Sequence, residues 1–335
     1  MKNATALLLF GLVLAMPVTS LGQSIPPATL PANSAARLLE PRRLWSLQQK
    51  ISALQSRTRK IPGPIAAPLV TSGVGVSSKV YRFASVDYPG ADLSIIFGSN
   101  GKVDIGIFTF NSNQSRLSFT HSGIKYQIFK VPGLAYATPE GINSLGVMAG
   151  YFLDPSFFRH GFIDNAGTVT TVDYPGSTET IILGINDAGD VVGSWNDAAG
   201  YSYAFVQIGG VFSTIDYPGA TYTQVQGINS LGQVVGDESD GSTSHGFIWS
   251  NGAFTSLDFP GAASTFPTSI NDAGKVAGYY TDAAFAAHGF LYQNSFTTVD
   301  VVGAIETYPY HIDNYDRLYG AYRDTQYEFH GFSAH

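Results

Sequence analysis

The tetrapeptide Asp-Tyr-Pro-Gly opens at Asp87 and returns at Asp173 and Asp216, with weaker copies at Lys130-Val131-Pro132-Gly133, Asp258-Phe259-Pro260-Gly261 and Asp300-Val301-Val302-Gly303. The start points step by 43, 43, 43, 42 and 42 residues. A unit of this length cannot bury its own apolar face and must stack on copies of itself, which restricts the chain to propellers and solenoids. With 37 Gly, 19 Tyr, 22 Phe and only 13% charged residues, the composition favours short strands and tight turns over helices.

Within the third copy, alternating or continuous apolar residues predict strands at 178–186, 190–195, 201–208 and 211–217, a four-stranded meander. Asn186-Asp187-Ala188-Gly189 and its equivalents at Asn143, Asn229 and Asn271 suit a type I turn closed by glycine. Gly209-Gly210 and Asn251-Gly252 are hairpin turns, and Tyr217-Pro218-Gly219 has the chemistry of a type II turn.

The phase of the two ends argues for closure. The repeats begin on a fourth strand, 81–88, and finish on a third strand at His330-Gly331-Phe332, in phase with His160-Gly161-Phe162, His245-Gly246-Phe247 and His288-Gly289-Phe290. Pairing the N-terminal strand (about 81–88) with the C-terminal strand (about 329–334) mends the divided unit and leaves no free sheet edge. The predicted fold is therefore all-β, a six-bladed β-propeller of four-stranded antiparallel blades spanning 79–335. Copies one and six depart most from the pattern: Leu117-Ser118-Phe119 replaces His-Gly-Phe, and His311-Ile312-Asp313-Asn314 replaces the first-turn motif.

Residues 1–22, with Lys2 followed by an apolar run from Ala4 to Ala15, read as a secretory signal peptide, so the protein is expected outside the cytoplasm, extracellular or periplasmic. No stretch reaches the roughly 20 apolar residues of a membrane span. The chain has no cysteine, which excludes disulfides and thiolate metal sites. Residues 23–78 read as linker around a basic amphipathic helix at about 41–57, with Leu44, Leu47, Ile51 and Leu54 in one stripe. From Arg37 to Lys60 there are seven basic residues and one acid, whereas Lys79 to His335 carries ten basic and 24 acidic residues. This arm is expected to dock on the acidic propeller, with no nucleic-acid partner.

Gly-Ile-Asn-x-x-Gly-x-Val-Val-Gly, followed about ten residues later by His-Gly-Phe or by Tyr203-Ala204-Phe205, resembles the extracellular repeat family named for its His-Ala-Phe core, the HAF repeats. The motif is well kept at 141–150, 184–193, 227–236 and 269–278 and poorly in copies one and six. The resemblance implies export and no established activity.

Function is expected on the face that carries the connections between second and third strands, which read as longer and unlike one another. The candidates there are Tyr151; Trp195, Asp197 and Tyr201; Asp237, Glu238 and Asp240; Tyr279 and Asp282; and Tyr322 and Asp324. Flat rings beside carboxylates suit an extracellular glycan or a protein ligand, and the reading is a non-catalytic binding or scaffold module. The alternative is a glycan hydrolase or lyase with carboxylates on the same face. The sequence holds no nucleophile elbow, phosphate loop or HExxH, and no cofactor is expected. A metal centre built from the recurrent histidines is not expected either, because one histidine per blade keeps them apart. The repeated aspartate of Asp-Tyr-Pro-Gly is expected to cap its own turn.

Overall fold

The structure is a computed structural model that describes residues 81–110 and 116–335. The expected signal peptide (1–22) and the expected linker with its helix at about 41–57 (23–78) fall outside the described residues. The described part is all-β, built from 24 strands. In the third blade Glu179–Ile185, Val191–Asn196, Ser202–Ile208 and Val211–Ile215 pair in sequence order, each antiparallel to the next. Blades beginning at Ala135–Ile142, Tyr222–Ile228 and Ser264–Ile270 repeat this order.

The other eight strands make the first and sixth blades. The sixth consists of Glu306–Ile312, Leu318–Arg323 and Phe329–Ala334, and its outer strand is Phe83–Ser85 from the start of the repeats. Phe83 pairs with Ala334 and Ser85 with Phe332, and Arg82 N donates to His335 O at 2.9 Å. The two ends of the repeat array thus share one sheet, as the phase of the repeats requires. Leu93, at the head of the first blade's Leu93–Ser99, also meets Phe329 in a single parallel bridge. First and third strands run in the same direction, so a contact between them across the seam has to be parallel.

Each third strand ends its motif on a phenylalanine with no exposed surface: Phe119, Phe162, Phe205, Phe247, Phe290 and Phe332. Burying one such ring stabilises the fold by about 1.5–3 kcal/mol. In four of the copies the aromatic before the proline packs over such a ring: Tyr174 lies 5.9 Å from Phe205 and stacks on Trp195 at 4.2 Å, Tyr217 lies 5.9 Å from Phe247, and Tyr88 and Phe259 do likewise with Phe119 and Phe290.

First strands line the axis, where neighbouring blades crowd together. A Cβ on Gly184 would sit 2.8 Å from Gln226 O and 3.4 Å from Gly227 Cα, so the glycine of Gly-Ile-Asn is set by the approach of the next blade. Around the same ring Asn143 Nδ2 donates to Asn186 O, Asn186 to Asn229 O, Asn229 to Asn271 O and Asn271 to Asp313 O, at 3.0–3.2 Å. These buried bonds tie successive blades and satisfy carbonyls that water cannot reach.

Candidate functional site

The connections between second and third strands are more alike than their sequences suggest. In four blades an aspartate opens a five-residue turn of one geometry. Asp282 N donates to Ala286 O, Phe285 N donates to Asp282 O, and Asp282 Oδ1 accepts from Ala284 N and Ala286 N at 2.8 and 2.9 Å. Asp154, Asp197 and Asp324 make the same four bonds in their own loops. This is also the geometry of the Asn-x-x-Gly turns on the opposite face, where Asn186 Oδ1 accepts from Asp190 N. The expectation of long, irregular loops is therefore corrected. An Asp carboxylate closes the turn as an Asn amide does, and the remaining positions vary freely without changing the backbone.

The fourth position of each turn needs φ > 0. Gly200 supplies it in the third blade, but Phe157, Phe285 and Tyr327 hold it in the second, fifth and sixth, at φ 64°, 67° and 69°. A bulky residue in this region carries a backbone cost of about 1–2 kcal/mol. These three rings are 64, 42 and 57% exposed, and Tyr201, one residue further along its loop, is 67% exposed. Imidazoles approach the aspartates of two of these turns: His288 Nε2 is 3.7 Å from Asp282 Oδ2, and His160 Nε2 is 3.7 Å from Asp154 Oδ2. Burial works against a charge on His160, but Asp173 and Asp154 raise its pKa overall. Hydrogen bonds from Ala286 N and Ala284 N, with help from His288, outweigh burial and lower that of Asp282.

The eleven sequence-derived residues divide by depth. Asp197, Tyr201, Asp240, Asp282 and Asp324 stand in the connecting turns, whereas Tyr151, Trp195, Asp237, Glu238, Tyr279 and Tyr322 lie within second strands. Tyr151 and Tyr279 are buried; Trp195 is clasped between Tyr174 and Tyr203; Tyr322 stacks on His330 at 5.1 Å. Asp237 is buried against the Tyr222 hydroxyl, and desolvation pushes its carboxyl up to about 7. Burial raises Glu238 as well. Asp240 is held below its ordinary value by the N–H groups of Thr243 and Ser242. Second strands alternate inward and outward residues, and an aromatic there is core on every inward turn.

The aspartates of Asp-Tyr-Pro-Gly need a second correction. Asp173 Oδ2 meets His160 Nδ1 at 2.8 Å and Oδ1 accepts from Gly161 N at 3.2 Å, so the carboxylate clamps the third strand instead of capping the turn that follows. Asp258, Asp300 and Asp87 do the same for His245, His288 and His330. The turn is tied by a hydroxyl from the next first strand: Thr180 Oγ1 accepts from Tyr174 N, and Thr223, Thr265, Thr307 and Ser94 act alike.

Phe157, Phe285 and Tyr327 belong to the loops that the sequence points to, and each is an aromatic standing where the Asn-x-x-Gly pattern puts glycine. Nearer the axis, Glu140 is buried with Arg116 beside it; desolvation pushes the carboxyl up to about 8 and the guanidinium down to about 10. The axial cavity that Glu140 lines, with Tyr310 and His311, measures about 70 Å³, well below the roughly 300 Å³ at which ligand pockets begin.

No family model and no curated protein matches the chain. Among solved structures it is similar to AofleA from Arthrobotrys oligospora, at 12% identity and a TM-score of 0.46 over 78% of this chain and 87% of that one. It is also similar to a fucose-specific lectin from Aleuria aurantia, at 10% identity and a TM-score of 0.46 over 75% and 96%. The β-propeller domain of the Trilobed protease from Pyrococcus furiosus gives 8% identity and a TM-score of 0.47 over 72% and 94%. Identities this low carry no residue correspondence. Among the described residues no helix is long and apolar enough to cross a membrane.

Proposed function

We propose that this propeller is an exported, non-catalytic module that binds an extracellular glycan through the turns joining second to third strands. The observation that carries the reading is the placement of Phe157, Phe285 and Tyr327 at left-handed backbone positions with their rings in solvent. Glycine would carry less strain at each; Arg323 lies over the Tyr327 ring at 4.8 Å, but all three rings gain less from burial than core rings do, so their use is sought in a ligand. A pyranose offers an apolar face to such a ring and hydroxyls to the adjacent carboxylate and imidazole. One turn gives a small contact; several turns on one rim give avidity toward a repeating polymer.

Of the carboxylates weighed for hydrolysis, Asp197, Asp240 and Asp282 close turns and Asp237 is held by Tyr222, which leaves Glu238 without a second carboxylate to pair with in catalysis. A glycan and polysaccharide array probed with the mature protein tests the reading, beside a Phe157→Ala/Phe285→Ala/Tyr327→Ala variant. Retention of wild type with loss in the variant supports it. No retention, or equal retention by the variant, overturns it.

A further inference from the structure

We infer a divalent transition-metal site, best suited to zinc, at the ring seam, formed by Asp324, Glu328 and His330. Each of the three offers one ligand atom, and these atoms all lie within 4.8 Å of one another. His330 Nε2 is 3.4 Å from Asp324 Oδ2. Tetrahedral zinc with bonds of about 2.0–2.1 Å requires ligand-to-ligand edges of about 3.3–3.4 Å, so this pair already stands at the required spacing. In the second and fifth blades the equivalent His–Asp separations are 3.7 Å.

The third ligand separates this blade from the others. Glu328 occupies the fifth position of its turn, where Phe158, Tyr201 and Ala286 stand in the turns of Asp154, Asp197 and Asp282. The turns of Asp154 and Asp282 each present one carboxylate to a histidine, and that of Asp197 faces Tyr203; the sixth presents two to His330.

The outer shell is also present. His330 Nδ1 lies 3.0 Å from Asp87 Oδ2, which fixes the ring and directs Nε2 outward, the carboxylate–histidine arrangement that supports zinc ligation. Asp87 is itself held by Ser85 Oγ at 2.6 Å and Gly331 N at 3.0 Å, and Tyr322 stacks on the imidazole. Asp324 is fixed through Oδ1 by Gln326 N and Glu328 N, leaving Oδ2 to the site. Arg323, the nearest cation in sequence, is drawn aside to Glu306 at 3.1 Å. Asp324 and His330 are half-buried and Glu328 is exposed, so an ion enters from solvent and keeps a water as fourth ligand.

The position gives the site a use. Asp87 follows the first strand of the repeats and orients His330 on the last, so the outer shell is complete only in the closed ring, and an ion here binds the closed ring in preference to the open one.

The test is calorimetric titration of ZnCl₂ into the full-length, tag-free, chelator-treated protein at pH 7.5, with thermal melts in parallel. One Zn²⁺ per chain is expected, with a rise in Tm on loading. Glu328→Gln, an exposed change, is expected to weaken binding at least tenfold and remove the Tm rise; Asp87→Asn is expected to weaken it about 10- to 100-fold. Ala286→Glu should create a second site in the fifth blade. Absence of one-to-one binding, or equal zinc affinity in Glu328→Gln, overturns the site, and Ca²⁺ binding in place of Zn²⁺ overturns the role given to His330.

Discussion

His311 Nε2 lies 3.0 Å from the carbonyl oxygen of Ser99, linking the sixth blade to the first across the axis-lining strands. A carbonyl only accepts, so Nε2 carries the proton; burial keeps the ring neutral by lowering its pKa. His311 stands where Gly98, Gly141, Gly184 and Gly227 stand in other blades, and where Ser269 stands in the fifth. The reason lies one turn further on. Asp313 replaces the asparagine of the inter-blade ladder and has no N–H to give; its carboxylate instead meets Arg317 Nε at 2.6 Å. The imidazole supplies a bond between blades at the junction where Asp313 stands in place of the ladder's asparagine.

Replacing His311 by Leu leaves the Ser99 carbonyl buried and unpaired, which costs about 1–3 kcal/mol. The expected outcome is a lower urea midpoint with an unchanged m-value. The corresponding change on the exposed side of the same blade, Tyr315→Leu, is expected to move the midpoint little.

Gly193 and Gly189 separate two reasons for glycine. On Gly193 a Cβ would fall 1.9 Å from Ile181 O, beside the bulge between Ile182 and Gly184, and backbone does not give way easily there. Gly193→Ala is expected to cost about 3 kcal/mol. Gly189 has φ 86° with nothing near its missing Cβ, so Gly189→Ala should cost about 1 kcal/mol through the dihedral alone. Chemical denaturation of the two variants checks the ratio.

Much of this was legible because turns are spelled with few letters. Six prolines or their substitutes followed by glycine give six left-handed glycines and six type II turns, from Gly90 to Gly303, and the phase of His330 gave the closure. The candidate face was harder to read. Loop sequence varies where only Asp154, Asp197, Asp282 and Asp324 are constrained, so equal loops looked unequal. The depth of Tyr151, Asp237 and Tyr279 depends on the approach of neighbouring blades, and that is set by glycines and bulges whose effect appears only in three dimensions. Likewise the clamp of Asp173 on Gly161 spans a strand pair, and a local reading naturally gave the carboxylate to the nearest turn.

Stability should fall as pH rises through the weakly acidic range. Glu140 has an ordinary value of 4.5 and a folded value of about 8; Asp237 goes from 3.8 to about 7. Between those values the folded state holds more protons than the unfolded one, so the contribution is fully present below about pH 4 and declines until the folded values are passed. His160, raised in the folded state, acts in the same direction; His311, lowered, acts against it below about 6.5. Urea midpoints are expected to drop from pH 5 to pH 8, and Glu140→Gln with Asp237→Asn should flatten that slope. A slope unchanged in the double variant contradicts the assignment.

Phe285 sets local stability against function in a single side chain. Its φ of 67° suits glycine, and the residue is 42% exposed, so Phe285→Gly relieves a backbone cost of about 1 kcal/mol while giving up only part of a core ring's burial. The expected outcome is a higher urea midpoint than wild type together with weaker retention on the glycan that the intact protein binds. Phe285→Ala keeps the strained dihedral and loses the ring, so it should weaken retention equally without the gain in midpoint. Comparing the two separates the cost of the conformation from the use of the aromatic, and a Phe285→Gly protein that is less stable than wild type would show that the ring is there for packing.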